Sequence, residues 1–505
     1  MGNDKEGWYL LKALIILNCK FLLLSTPGNT LYIKMHFVHD LTESLTPGSA
    51  VISIGDKGYD ESIKRWAVTA EKRAGLVVFP SAPSDVSKTI LCATKLGVEL
   101  AVAGGSHSTS GSSSTDGGIS MNLSRMRGVT VDPEAMTVTV QGGALWEDVD
   151  KAAAEHGLAT VGGTVNLTGV GGLTLGGGYG YLSGAYGTVV DNLLSVQMVL
   201  ASGEIITVSE RQNPELFWAI RGAGAAFGVV TEFVFRAYKQ ENLVWAGVLA
   251  FTPDKLRSIL ECANHVIEVS KGEATIMVGF ATPQPDLPPC IMTVVFYNGP
   301  EQSAKALFEP ILKLDPLLNT TAMIPYPEVN AFHNANVPDG ARRTMKGSTF
   351  AAPVDIPFVE SMFNDYVSFI QSTPDAQKTL VLWEFISPHK IMSVPQNATS
   401  FANRGPYGNV VFVTAWTSQE HDTACREWTR NMARKARNQL LKTRAGGEGV
   451  GEYANYEGMN ETPAKTLFGD NYERLVELKR RYDPTNVFGR CFNLMPGHGG
   501  DVPRN

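Results

Sequence analysis

The sequence predicts an α+β protein of more than one domain, and three observations predict it. The chain has 505 residues, more than one hydrophobic core usually supports, and 44% of them are hydrophobic. Residues 239–449 alternate apolar strands (VWAGVLAF, EATIMVGFA, CIMTVVFY, LVLWEF, NVVFVTAW) with helical stretches, which suits an antiparallel sheet with helices on one face. From Gly157 to Val190 run 34 residues without Asp, Glu, Lys or Arg, in a chain that is 18% charged, so something large and mostly uncharged must lie against them.

Within that stretch, GGTVNLTGVGGLTLGGGYGYLSGAYG (Gly162 to Gly187) spaces its glycines too irregularly for collagen and too closely for a helix or long strand. A flexible linker would not be interleaved with Val165, Leu167, Val170, Leu173, Tyr179 and Tyr181. The segment reads as a buried loop whose backbone wraps a cofactor.

Residues 1–58 form an N-terminal extension whose apolar stretches, Ala13 to Leu17 and Phe21 to Leu24, are interrupted at Asn18-Cys19-Lys20. They are too short to span a bilayer, so no membrane span is expected. Asp4-Lys5-Glu6 fits a signal peptide poorly, and a cytoplasmic location is the expectation. Secretion or a vesicular location is the alternative if residues 1–26 act as a signal sequence, and Met35 is a possible start. The sequons at Asn122, Asn166, Asn319, Asn397 and Asn460 are no more than a chain this long contains by chance.

From Tyr59 to Ala74, Ile63, Trp66, Ala67 and Ala70 recur at helical spacing, and GLVVFP follows as a short buried strand. A helix capped by Ser84 or Asp85 runs to about Leu96, and Glu99 to Val102 is a second strand. That strand enters AGGSHSTSGSSSTDGG, where Gly104, Gly105, Ser106 and Ser108 offer backbone N–H and hydroxyl donors suited to a phosphate or pyrophosphate. His107 stands among them. A loop histidine is ordinarily solvated, but this loop leaves a strand end and a second glycine-rich segment follows, which favours a ligand role; no spacing supports metal ligation. A helix over Leu145 to His156, a hairpin turned at Ser202-Gly203, a helix from Asn213-Pro214 to Ile220 and the glycine-bearing RGAGAAFGVVTEFVF complete this part.

Several function classes lose their signatures. With 43 basic against 50 acidic residues the net charge is −7, without a basic aromatic stripe, so no nucleic-acid partner is expected. The six cysteines form no CxxC pair. Complete GxGxxG, Walker, GxSxG and HExxH motifs are missing as well.

The three glycine-bearing segments, in this order, resemble the PCMH-type FAD-binding domain of the vanillyl-alcohol-oxidase type, and most closely the berberine-bridge-enzyme-like, oxygen-dependent FAD-linked oxidoreductases. The resemblance is dense over residues 73–238 and resumes in EYANYEGMN and NYERLVELKRRYDPTNVFGRCFNLMP. It implies a two-subdomain FAD-binding domain at 59–238, a substrate domain at 239–449, and a segment at 450–505 returning to the first. It implies FAD bonded through its 8α carbon to His107, with Gly104, Gly105, Ser106 and Ser108 at the pyrophosphate. Gly163, Thr164, Gly169, Val170, Gly171, Gly172, Gly176, Gly177, Gly178, Tyr179 and Gly180 would wrap the flavin, Gly228, Val229 and Val230 complete its site, and Asn493 meets its pyrimidine edge. Since no cysteine lies between Cys92 and Cys262, one covalent bond is the most expected. Val170 matches an oxygen-gating position with the small residue similar to oxidases, whereas Ala103 and Phe492 depart from the family's Arg and Gln.

For proton transfer, Tyr456 and Tyr453 match a segment holding a catalytic tyrosine, and Tyr456 fits better. An unperturbed tyrosine titrates near pH ~10, so it would need a neighbouring cation or hydrogen-bond donor. Glu384 is the carboxylate within an apolar strand and could serve as acid, base or structural acceptor. The expectation is a specialised-metabolite oxidase moving hydride from an alcohol, amine or activated C–H of a small molecule to flavin, with O2 as acceptor. The alternatives are a dehydrogenase or oxidative cyclase using another acceptor, or a non-catalytic flavin-retaining protein.

Overall fold

The computed structural model describes residues 38–283, 287–334 and 340–495; Met35 and the signal-sequence reading of residues 1–26 lie outside the described residues. A mixed four-stranded sheet orders Ala50–Ser53, Leu76–Phe79, Ile119–Asn122 and Leu100–Ala103, the first pair antiparallel and the others parallel. Helix Pro83–Leu96 covers it with Val86, Ile90 and Ala93. Asp85 does not cap that helix; its buried carboxylate accepts from Thr46 and Ser49 and pins the preceding loop.

An antiparallel five-stranded sheet follows in the order Val129–Asp132, Thr137–Gln141, Val229–Arg236, Leu193–Val199 and Ile205–Ser209. The uncharged stretch packs on it, burying Val161, Val170, Tyr181, Leu182 and Val189 in the same core as Phe233 and Phe235. It contains a six-residue helix, Val170–Leu175, despite its glycines. Residues 59–74 differ from the expected continuous helix, because only Tyr59–Ser62 is α-helical and Val68–Ala70 is a single 3-10 turn. Beyond it the backbone pairs elsewhere: Trp66 N–H donates to the Ser106 carbonyl (3.1 Å) and Val68 N–H to that of Ala341 (3.0 Å). Tertiary hydrogen bonds override the local period.

The remaining chain builds an antiparallel eight-stranded sheet. Its order is Leu318–Asn319, Val244–Phe251, Cys290–Tyr297, Ala274–Ala281, Leu380–Ile386, Tyr407–Trp416 and Arg342–Ala351, with Ala322–Ile324 also on Val244–Phe251. Helices Leu256–Val269, Ile356–Ser372 and Asp422–Leu440 pack on one face, burying Val381, Trp383 and Phe385. Strand alternation turns Leu382, Glu384 and Ile386 the other way, where Leu382 and Ile386 meet the glycine-rich part.

The chain then returns. Helix Tyr472–Tyr482 inserts Leu475 and Leu478 into the core of the five-stranded sheet, and Phe492 and Leu494 join them. Among the described residues no helix is long and apolar enough to cross a membrane.

Candidate active site

Three loops converge beyond strand Leu100–Ala103. Gly105 and Gly169 touch: a Cβ on Gly105 would stand 2.3 Å from the Gly169 nitrogen, so neither position admits a side chain. Residues 142–146 come between sheet and loop, with Val170 N–H donating to the Ala144 carbonyl (2.9 Å) and Trp146 N–H to that of Thr168 (3.1 Å). Gly142 and Gly143 went unmarked in the sequence because a lone GG after a strand is too common to signal anything.

Most glycines of the uncharged stretch are demanded by the chain's own contacts. A Cβ would overlap Leu173 at Gly163 and Gly178, Asn455 at Gly176, Phe401 at Gly177, and the Gly162 carbonyl, at 1.7 Å, at Gly180. Gly104 and Gly171 border the Gly142 carbonyl, and beside Gly172 there is open space. Thr164 is half-buried and Val170 fully buried. Gly228 backs onto the Val199 carbonyl, while Val229 and Val230 enter two different cores. Asn493 is exposed, accepting the Met495 N–H (3.2 Å).

His107 is held by stacking. Ser106 before it has φ +57°, rare for a residue with a side chain, and directs the imidazole onto Trp66, ring centroids 4.1 Å apart at 14°. Burial, with the Arg343 guanidinium nearby, lowers the His107 pKa to about 4, so the ring is neutral. Ser108 shares a hydrogen bond with Ser110 (2.9 Å). Buried and without hydrogen-bond partners are His107 Nε2, the Ser113 and Ser114 hydroxyls and Thr174 Oγ1, all in or beside the glycine loops. Buried polar atoms are ordinarily paired, so this set, with the open space at Gly172, fits FAD, whose phosphate and ring oxygens would accept from the hydroxyls.

A second constellation lies where the chain's return meets the large sheet. Tyr456 donates its hydroxyl to Glu384 Oε1 at 2.8 Å. Burial raises the Glu384 pKa to about 7; hydrogen bonds from Tyr456 and from Asn409, its cross-strand partner, only partly offset this, and Oε2 has no partner. Burial and then the Glu384 charge push Tyr456 well above the usual tyrosine range. Its neighbour is thus a carboxylate that accepts its proton, rather than the cation or hydrogen-bond donor that the sequence led one to expect.

Tyr453 sits beside it, ring centroids 4.8 Å apart, its oxygen accepting from the Gly178 N–H (3.1 Å) and Asn455 Nδ2 (2.8 Å). Tyr179 stands edge-on to Tyr453 at 4.9 Å and donates to the Asn403 carbonyl (3.0 Å). Asn455 also donates to the Leu173 carbonyl (2.8 Å), and Thr109 to that of Gly458 (2.9 Å). Residues 453–458 therefore bind the histidine loop, the uncharged stretch and the large sheet together. The structure brings Tyr179, Tyr453, Tyr456 and Glu384 into one cluster; of the residues that complete it, Asn409 showed only as a polar residue in an apolar strand, and Phe401 and Asn403, in the loop before that strand, carried no sequence signal.

A glycine-lined cofactor bed, a neutral, half-buried histidine and a tyrosine–carboxylate pair together define a flavin-dependent oxidoreductase. Residues 74–209 match the FAD binding domain family, and residues 452–490 the berberine and berberine-like family. The FAD-linked oxidoreductase pgmH of Aspergillus terreus is 34% identical over 468 residues, covering 87% of this chain and 92% of that one. Among solved structures, 6-hydroxy-D-nicotine oxidase from Arthrobacter nicotinovorans has a TM-score of 0.75 at 26% identity, over 89% of this chain and 98% of that chain. Glucooligosaccharide oxidase from Acremonium strictum, with a 6-S-cysteinyl, 8α-N1-histidyl FAD, shares the fold with a TM-score of 0.76 at 20% identity, over 89% and 97%. The chain belongs to the berberine-bridge-enzyme-like FAD-linked oxidoreductases.

Proposed function

We propose that this FAD-dependent enzyme is an oxidase, monocovalent through His107, that takes hydride from an alcohol, amine or activated C–H of a small specialised metabolite and passes the electrons to O2. The observation that carries the reading is the pair of half-buried Tyr456 and buried Glu384, set against the glycine-lined bed by Tyr453 and Asn455. When bound, FAD supplies the two-electron acceptor. The chain supplies the proton path: a substrate hydroxyl or amine proton moves to the Tyr456 oxygen as the Tyr456 proton moves along its 2.8 Å bond to Glu384. Glu384 is the base, because its pKa of about 7 matches neutral pH while Tyr456 is raised out of reach. Tyr179, Phe401 and Tyr453 give the site aromatic walls that favour a planar, apolar substrate. Val170, buried at the start of its helix, keeps the small side chain that the family resemblance associates with oxidases, which supports O2 as the acceptor.

Two measurements test this. Turnover should yield one H2O2 per substrate oxidised; turnover that needs an added acceptor, with little peroxide, would sink the oxidase reading. Acid-precipitated wild type should keep its yellow colour in the pellet while His107→Ala releases it, and release from both would remove the covalent bond.

A further inference from the structure

The grip on His107 comes from two residues outside the glycine loops. Trp66 stacks on the imidazole at 4.1 Å, and its N–H bonds the carbonyl of Ser106, fixing the residue before the histidine. Arg343 belongs to the far sheet, on strand Arg342–Ala351. Its guanidinium lies 4.5 Å from the Trp66 ring centroid and its Nη1 donates to the Trp66 carbonyl at 2.9 Å. Both are buried, Trp66 at 5% and Arg343 at 4% exposure, whereas the preceding Arg342 turns away to pair with Asp422. A buried arginine is a permanent charge, and placed here it opposes a second cation on the adjacent imidazole.

We propose that Arg343, acting through Trp66, is a positioning residue for covalent flavin attachment: it holds the His107 ring oriented and unprotonated so that a ring nitrogen can bond the flavin 8α carbon. This rests on the covalent-flavin reading above. In the attachment one N–C bond forms while one N–H and one C–H bond break, and two electrons with two protons pass to O2, giving H2O2. Arg343 is the charge that acts directly on His107. Among the described residues, other charged groups on elements packed around it are Arg65, which precedes Trp66 and whose backbone N–H bonds Glu71, and the Lys346–Glu457 ion pair beside Gly458, to which Thr109 bonds. Ala103, at the end of the strand that leads into the histidine's loop, is fully buried and brings no charge.

The test uses full-length protein from riboflavin-starved cells, incubated with FAD in air between pH 5 and 9, with acid-stable flavin followed by absorbance and by mass gain. Wild type should attach flavin at nearly constant rate down to pH 5.5. Burial alone still lowers the His107 pKa in the variant, so Arg343→Gln should slow measurably at pH 5.5, by at most about tenfold, the limit set by an unperturbed histidine that titrates near 6.5, and should recover near pH 8. Arg343→Lys, which keeps the charge, should stay close to wild type at pH 5.5. If Arg343→Gln does not fold, Arg343→Met retains the apolar stem and carries the same expectation. An uncharged variant that binds FAD, keeps its melting temperature and attaches flavin at the wild-type rate at pH 5.5 overturns the proposal. Wild type that never acquires acid-stable flavin overturns instead the covalent reading beneath it.

Discussion

Glu384 sits where its surroundings oppose its charged form. Its folded pKa, about 7, lies above the ordinary 4.5, so between these values the unfolded chain has released a proton that the folded one keeps. The stability carried by the protonated carboxyl is complete below about 4.5 and is lost as pH rises through 7, a cost of roughly 3 kcal/mol above that pH. Glu384→Gln should therefore be more stable than wild type at pH 8, read as a higher urea midpoint, while kcat falls roughly 10²- to 10⁴-fold with loss of the base. Equal stability at pH 8 would mean that the carboxylate is solvated there. Tyr456→Phe removes the hydroxyl that stabilises the ionised carboxylate, so kcat should fall and the inflection of kcat/KM should move above pH 7. An unmoved inflection would show that the two groups do not share the proton.

At the scale of elements, the glycine-rich stretch was legible in the sequence as buried and cofactor-facing, but the reason for its glycines was not. Sequence shows which residues lack a side chain; what a Cβ would strike depends on chain from elsewhere, such as Asn455 at Gly176 or Phe401 at Gly177. The distinction is measurable. Gly180→Ala would place a methyl 1.7 Å from a backbone carbonyl that cannot step aside, so both melting temperature and flavin retention should drop. Gly172→Ala enters open space within a helix, so its melting temperature should hold or rise slightly, and any effect should fall on flavin content. The five strands with continuous apolar runs were equally readable. Arg342–Ala351 was not, since RRTMKGSTFA follows the composition of an exposed edge, with Arg and Lys guarding it, although this strand delivers Arg343 to the histidine and Gly347 beneath the Tyr456 ring. The helical period at residues 63–70 misled because apolar spacing cannot register the hydrogen bonds that Ser106 and Ala341 offer.

At the scale of the whole molecule, three buried groups, Asp150, Glu384 and His333, are kept neutral against their ordinary titration, and this gives the fold a stability profile that can be dissected. Asp150, which accepts from Asn330 (2.9 Å), is raised by burial to about 7, as is Glu384, whereas His333, 3.5 Å from the Tyr181 hydroxyl, is lowered by burial to about 4. Between roughly pH 4.5 and 6.5 each carboxyl holds a proton that the unfolded chain lacks, so its contribution falls as pH rises. His333 lacks a proton that the unfolded chain holds, so its contribution is complete above about 6.5 and disappears as pH falls toward 4. The two kinds of group oppose each other, at about 1.4 kcal/mol per pH unit for each proton. Measured by urea denaturation against wild type, Glu384→Gln and Asp150→Asn should each gain relative stability as pH rises from 4.5 to 6.5. His333→Gln should lose it at a similar rate. Parallel profiles for all four proteins would mean that these groups exchange protons with solvent in the folded state, and the neutral interior on which Glu384 depends as a base would have to be abandoned.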